Sequence, residues 1–232
     1  MDHITKQAAE PLPVTPSSAT HKAYAALRRM ILIGEFSPGE KLKIDTLRKV
    51  LDTGASPVRE ALSLLTSDQL VERIDQRGFR AAATSKANFE EILGLRCHLE
   101  DMALRKSVAN GDDAWEERLV LAHHRMVREG RDNDEAFEER HKAFHMALLD
   151  NCDSPVLMKF CNQLYDLNIR YRYLAGRALG YQKRDIAREH ADILAAAIER
   201  DADLAARRLI DHYRQTGAFL TDLLDDNGQP RD

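Results

Sequence analysis

Between His21 and Ala82 three short stretches of helical spacing give way to strand-like alternation, and few folds accommodate that order in so little chain. Tyr24, Leu27 and Ile31 fall at i, i+3 and i+7, after which Gly34 and Ser37-Pro38-Gly39 end the helix and turn the chain. Ile44, Leu47 and Leu51 repeat the spacing over a short second helix, closed by Asp52-Thr53-Gly54. A third helix is expected to open with Ser56 as N-cap and Pro57 at its first position, where the missing N–H costs nothing. Val58, Ala61, Leu62 and Leu65 form its buried stripe, so Arg59, Glu60 and Ser63 face outward near its N-terminal end. Residues 70–74 and 78–82 then read as two short strands around Asp75-Gln76-Arg77. This order predicts a winged helix-turn-helix with a basic wing tip, its third helix shaped to enter a major groove. An ordinary three-helix bundle with a hairpin would leave Arg59 and Arg77 without a task.

Charge follows the same division. Residues 20–84 carry 11 Lys+Arg against 8 Asp+Glu, whereas residues 85–232 carry 22 against 28. A mildly basic front and an acidic back suit a DNA-binding domain joined to something else. Residues 1–19 lack the basic and apolar regions of a secretory signal and read as a flexible Pro/Ser-rich tail, as do residues 227–232 at the other end. No apolar run reaches membrane-spanning length, and Cys97, Cys152 and Cys161 lack CxxC spacing, which argues against a zinc ribbon and for reduced thiols in a cytoplasmic protein.

From Ser85 onward the period is helical throughout, so residues 85–226 are expected to form an all-α antiparallel bundle behind the winged helix of residues 20–84. Six helices are expected at about 86–109, 112–129, 133–150, 154–178, 183–200 and 202–224, with breaks at Gly111, Gly130, Ser154-Pro155, Gly180 and Arg200-Asp201. In the third of these, Phe137, His141, Phe144, His145 and Leu148 share one stripe; in the fifth, Ile186, His190, Ile193 and Leu194; in the sixth, Leu209, His212, Tyr213 and Thr216. A single inward histidine is usually a satisfied core residue. Four on three helices of one bundle form a site that suits a first-row divalent ion. Arg96 is a second oddity, a guanidinium on the stripe of Phe89, Ile92, Leu93, Leu99 and Ala103, where it needs a carboxylate. Glu100, four residues on, is the local partner; the carboxylate of a ligand is the other. Arg170 and Arg172, beside Tyr171, are further candidates for such a ligand.

The segments LRRMILIGEFSPGEKL (27–42), SPVREAL (56–62) and QRGF (76–79) resemble the DNA-binding domain of the GntR family of bacterial transcription regulators. The resemblance implies that Arg59 reads a guanine edge, through the bidentate pairing Arg makes with O6 and N7, and that the Arg77-Gly78 wing enters the minor groove. Ser56 belongs to the same contact motif, and Lys43, Arg48 and Lys49 are phosphate-contact candidates. Ala55 and Asp45 stand where other members carry arginine, so the operator sequence does not carry over.

The helices behind resemble the FCD ligand-binding domain of the FadR-type branch of that family. Its metal-binding members carry Asp-x3-His, then a His, then another His 22 residues later; His145, His190 and His212 match, while His141 takes the place of the Asp. A four-His site carries less negative charge and favours Zn or Ni, with Fe behind them, over Mn or Mg. The resemblance further implies an Arg96 clamp for an effector carboxylate and a homodimeric regulator, most simply a repressor released from a palindromic operator. RHKAFH combined with Ser154 resembles the carbon-starvation-induced regulators of the branch, which implies a C5 dicarboxylate such as glutarate. Catalysis is not expected: HKAFH lacks the glutamate of HExxH, and of two Glu-x-x-His motifs a di-iron bundle needs, only Glu138-x-x-His141 is present. The alternative is a DNA-binding interaction protein whose histidines are structural and which takes no effector.

Overall fold

The computed structural model describes residues 18–75, 77–129, 134–175 and 185–226. The expected tails through residue 17 and from residue 227, Gln76 of the wing tip, and the expected breaks at Gly130 and Gly180 lie outside them.

The front of the chain runs α1 (Ala19–Leu32), β1 (Lys41–Leu42), α2 (Ile44–Val50), α3 (Ala55–Ser67), β2 (Val71–Ile74) and β3 (Gly78–Ala81). Ser18 caps α1 by accepting from the His21 N–H at 3.2 Å. Leu27 and Ile31 of α1 pack with Val58, Leu62 and Leu65 of α3 in one buried cluster, so the outward face of α3 is set by the stripe opposite it. Two local expectations change. The helix α3 starts at Ala55 with Gly54 as its N-cap, φ −76° and ψ 163°, and the Ser56 hydroxyl donates instead to Glu60. Extended backbone at Gly54 already supplies cap geometry, and Pro57 still lies in the first turn, where an N–H has no intrahelical acceptor. The wing also gains a strand: β1 pairs with β3, Leu42 opposite Phe79, giving the sheet order β1-β3-β2. Two residues are too few to show a period.

Behind it stand α4 (Lys86–Ala109), α5 (Asp113–Glu129), α6 (Asp134–Leu149), α7 (Pro155–Leu174), α8 (Ile186–Ile198) and α9 (Ala202–Leu223), close to the expected six helices and with no strand among their described residues. The protein is mainly α, a winged helix-turn-helix followed by a helical bundle. The Ser85 hydroxyl caps α4 at the change of period, and α4 lies against both α9 and α7. One apolar cluster runs from Leu27 and Leu65 through Phe89 and Ile92 of α4 to Tyr165 and Ile169 of α7, so the winged helix shares its core with the bundle. A second holds Leu104, Trp115, Phe144, Leu148, Ile193 and Leu209 inside the bundle. No described helix is long and apolar enough to cross a membrane.

Candidate metal centre and DNA interface

His141 and His145 sit one turn apart on α6, His190 on α8 and His212 on α9, all four buried. Each offers one ring nitrogen to a group whose atoms lie within 4.8 Å of one another. The Nε2 atoms of His141 and His145 are 3.2 Å apart, close to the edge of about 3.3 Å that two nitrogens span when each is 2.0–2.1 Å from a tetrahedral zinc. His190 Nε2 is buried with no hydrogen-bond partner among the described residues. An orphaned imidazole nitrogen among three others is costly as a core residue and satisfied as a ligand.

The outer nitrogens are tied down. His212 Nδ1 is 2.7 Å from Glu189 Oε2, which as a carboxylate only accepts, so Nδ1 carries the proton and the Nε2 lone pair is left for the centre. Tyr213 donates its hydroxyl to Glu100 and therefore accepts from His145 Nδ1 at 2.9 Å, with the same result for His145. His141 Nδ1 meets the Tyr165 hydroxyl at 2.6 Å. Burial first, then neighbouring imidazoles, hold His141 and His145 well below the ordinary histidine range, and the same causes push His190 down to about 2. Burial raises the Tyr165 and Tyr213 hydroxyls, which stay protonated. Neutral imidazoles oriented from outside fit a divalent transition ion.

Arg96 is buried against this network. Its Nε donates to Glu100 at 2.6 Å and its Nη1 to Asn168 at 3.0 Å, between the rings of Tyr165 and Tyr213, whereas Nη2 has no partner among the described residues. Burial works against the charge, but Glu100 and the two phenols outweigh it and raise the guanidinium above its ordinary value. The local pairing with Glu100 is thus present, and one donor is left over. Arg96, His141, His212, Tyr213 and Arg172 line a cavity of about 20 Å³, closed by Phe137, Leu93 and Gly217. That volume admits about one water. A Cβ on Gly217 would lie 2.2 Å from Leu93 Cδ2, so a larger residue there would displace the end of the Leu93 side chain at the cavity wall.

Arg172 lines this cavity and is paired with Glu138; Arg170 does not reach it. Two residues apart on a helix means about 200° of rotation, and Arg170 instead donates to the Ala82 carbonyl at 2.7 Å, holding the segment between the two parts of the chain. Arg170 therefore does not join Arg96 and Arg172 at this cavity. Arg59 is exposed on the outer face of α3 with no side-chain partner among the described residues, while its neighbour Glu60 is engaged by Thr20 and Ser56. Ser56, Lys43, Arg48, Lys49, Arg77 and Gly78 are exposed as well, Arg48 near Asp45 at 3.7 Å and Gly78 at φ +94°, where a glycine is favoured.

Comparison with known proteins bears on both halves. Residues 19–80 match the model for bacterial regulatory proteins of the gntR family, and residues 91–215 match that of the FCD domain. The chain belongs to the GntR family, in its FCD-carrying branch. The regulator is 32% identical to the HTH-type transcriptional repressor GlaR of Escherichia coli (strain K12) over 197 residues, 82% of this chain and 90% of that one. It is 34% identical to the HTH-type transcriptional regulator BphR of Paraburkholderia xenovorans (strain LB400) over 216 residues, 90% and 88% of the two chains. The solved structure of E. coli McbR/YncC shares the fold, with a TM-score of 0.78 at 22% identity over 89% of this chain and 99% of that one. It is a DNA-binding transcription regulator, not an enzyme.

Sequence spacing brought the GntR regulator's four histidines to one stripe each, but not the groups that orient them. Glu189 and Tyr165 act across helices on the histidines, as Asn168 does on Arg96, so no periodicity within one helix points to them. Tyr213 shares the inward stripe of His212, which was the one readable signal.

Proposed function

We propose that the chain is a homodimeric repressor, released from a palindromic operator when a small dicarboxylate such as glutarate binds beside a Zn or Ni ion held by His141, His145, His190 and His212. The observation that carries this reading is the unpartnered Nη2 of buried Arg96, on the same cavity as His141 and His212. When bound, the ion supplies a Lewis-acidic position for a carboxylate oxygen. The chain supplies the rest: Glu100 and Asn168 hold the guanidinium plane, Tyr213 links Glu100 to His145, and Arg172 offers a second cation at the cavity wall. On α3 and the wing, Arg59 reads a base and Arg77-Gly78 enters the minor groove, with Ser56, Lys43, Arg48 and Lys49 positioning the domain on the backbone. A repressor is named among the relatives, in GlaR.

A cavity of about 20 Å³ is smaller than any dicarboxylate, so binding moves its walls. That movement is the differential affinity through which a ligand shifts a two-state equilibrium. Calorimetry of glutarate with zinc-loaded wild type and Arg96→Ala is the test. Arg96→Ala is expected to lose glutarate affinity while keeping zinc and operator binding, and to stay on the operator when the acid is added. Equal affinity and equal release in both proteins would return Arg96 to its partner Glu100 and leave the effector site unlocated.

A further inference from the structure

One ion cluster, two part-buried cations on a nearly buried carboxylate, joins the two parts of the molecule. Asp166 on α7, with its side chain 10% exposed, takes Lys142 of α6 on Oδ1 at 2.6 Å and Arg28 of α1 on Oδ2, where the Arg28 Nε lies at 3.1 Å. Both bundle members of the cluster are neighbours in sequence of groups at the candidate metal centre. Lys142 follows His141, and Asp166 follows Tyr165, whose hydroxyl meets His141 Nδ1. Arg28 lies on the helix that carries α3: Tyr24 bonds Asp68 just past the end of α3 at 2.7 Å, Thr20 bonds Glu60 within it at 2.8 Å, and the two helices share a core.

From this we propose that Asp166 is the joint by which the state of the histidine centre reaches the DNA-binding domain. The inference rests on the metal reading above and adds the element that transmits it. A shift of the His141 ring displaces Tyr165 and Lys142 together, and both bear on one carboxylate. Because that carboxylate is nearly desolvated, its attraction to the Arg28 guanidinium is screened little, and a misplaced partner is costly. A direct ion pair between α1 and α6, Arg29 with Glu135, has both side chains about two-fifths exposed or more and is screened. It serves as the control. A pair in water transmits little; a buried one with partners in both domains is a two-state element that each domain can bias.

The test uses the full chain and zinc alone, reading backbone hydrogen exchange helix by helix with zinc and after chelation. In wild type, zinc is expected to slow exchange in α6 and α8 and also in α1. In Asp166→Asn the slowing in α6 and α8 remains and that in α1 is lost; Arg28→Gln, which reaches the joint from the other domain, gives the same split, and the double variant no more than either. Glu135→Gln behaves as wild type. Slowing in α1 that persists in Asp166→Asn and Arg28→Gln overturns the joint, as does zinc that slows α6 and α8 in wild type with α1 unmoved. Equal loss in Glu135→Gln also overturns it, by assigning coupling to the interface as a whole. Zinc that leaves α6 and α8 unchanged and is not retained on dialysis overturns the metal reading, and the joint with it.

Discussion

His141, His145 and His190 are kept neutral by burial and by one another, and that neutrality has a cost that depends on pH. The folded values are depressed, while an unfolded histidine titrates near 6.5. Below about pH 6.5 the unfolded chain therefore binds more protons than the folded one, and stability falls as pH is lowered from there towards the folded values. Each such histidine contributes a slope of up to about 1.4 kcal/mol per pH unit. Chelated protein should thus lose several kcal/mol of unfolding free energy between pH 7.5 and 5.5 by urea titration, and His190→Phe should lose less over the same interval. Zinc at the proposed centre is expected to raise the whole curve by a gain that shrinks in the same window, because protons and metal compete for the same nitrogens. A chelated protein equally stable at both pH values would show that the imidazoles are not held neutral.

At the scale of the element, the proposed DNA contacts divide sequence reading on α3 from backbone anchoring on α2. Arg59 stands free on α3, so Arg59→Ala should cost about 1 to 3 kcal/mol of specific binding and relax preference at one base pair, whereas Lys49→Ala should weaken all sequences alike. Competition titrations with operator and random DNA separate the two, and equal loss on both for Arg59→Ala would make it a phosphate contact. How much of these elements was legible depended on length and on who the partners are. The helices α4, α5 and α7 run 24, 17 and 20 residues and declare themselves by period. The strand β1 has two residues, and its partner lies 37 residues ahead, at Phe79 opposite Leu42, so only tertiary pairing creates it. Arg170 and Arg172 looked alike in a row of polar residues, and helix rotation sends one to the linker and the other to the cavity. The four histidines were legible because each lies on its own helix's apolar stripe; Glu189 was not, because its bond to His212 joins α8 to α9.

For the whole molecule, one winged helix covers a half-site, so a palindromic operator requires two copies at fixed separation. The proposed homodimer needs an apolar face, and the bundle offers one along the seam of α4 and α7. These helices run antiparallel, as the bonds Asn88–Tyr171 and Arg96–Asn168 show. Leu95 and Met102 of α4 are 49% and 45% exposed, and Val156 and Phe160 of α7 are 69% and 51% exposed. Helical spacing puts each pair on the edge nearest the other helix, and Met102 and Phe160 at one level of the seam. Four large apolar side chains on one exposed face are more than a monomer keeps in water without use, and a two-fold axis through such a seam pairs the patch with itself. A charge at its centre would be buried unpaired in the dimer and solvated in the monomer. Phe160→Glu is therefore expected to shift sedimentation from dimer to monomer with its helix content intact, and to weaken operator binding while leaving single half-site binding and zinc content as in wild type. A Phe160→Glu protein that sediments as a dimer would place the two-fold axis on another face.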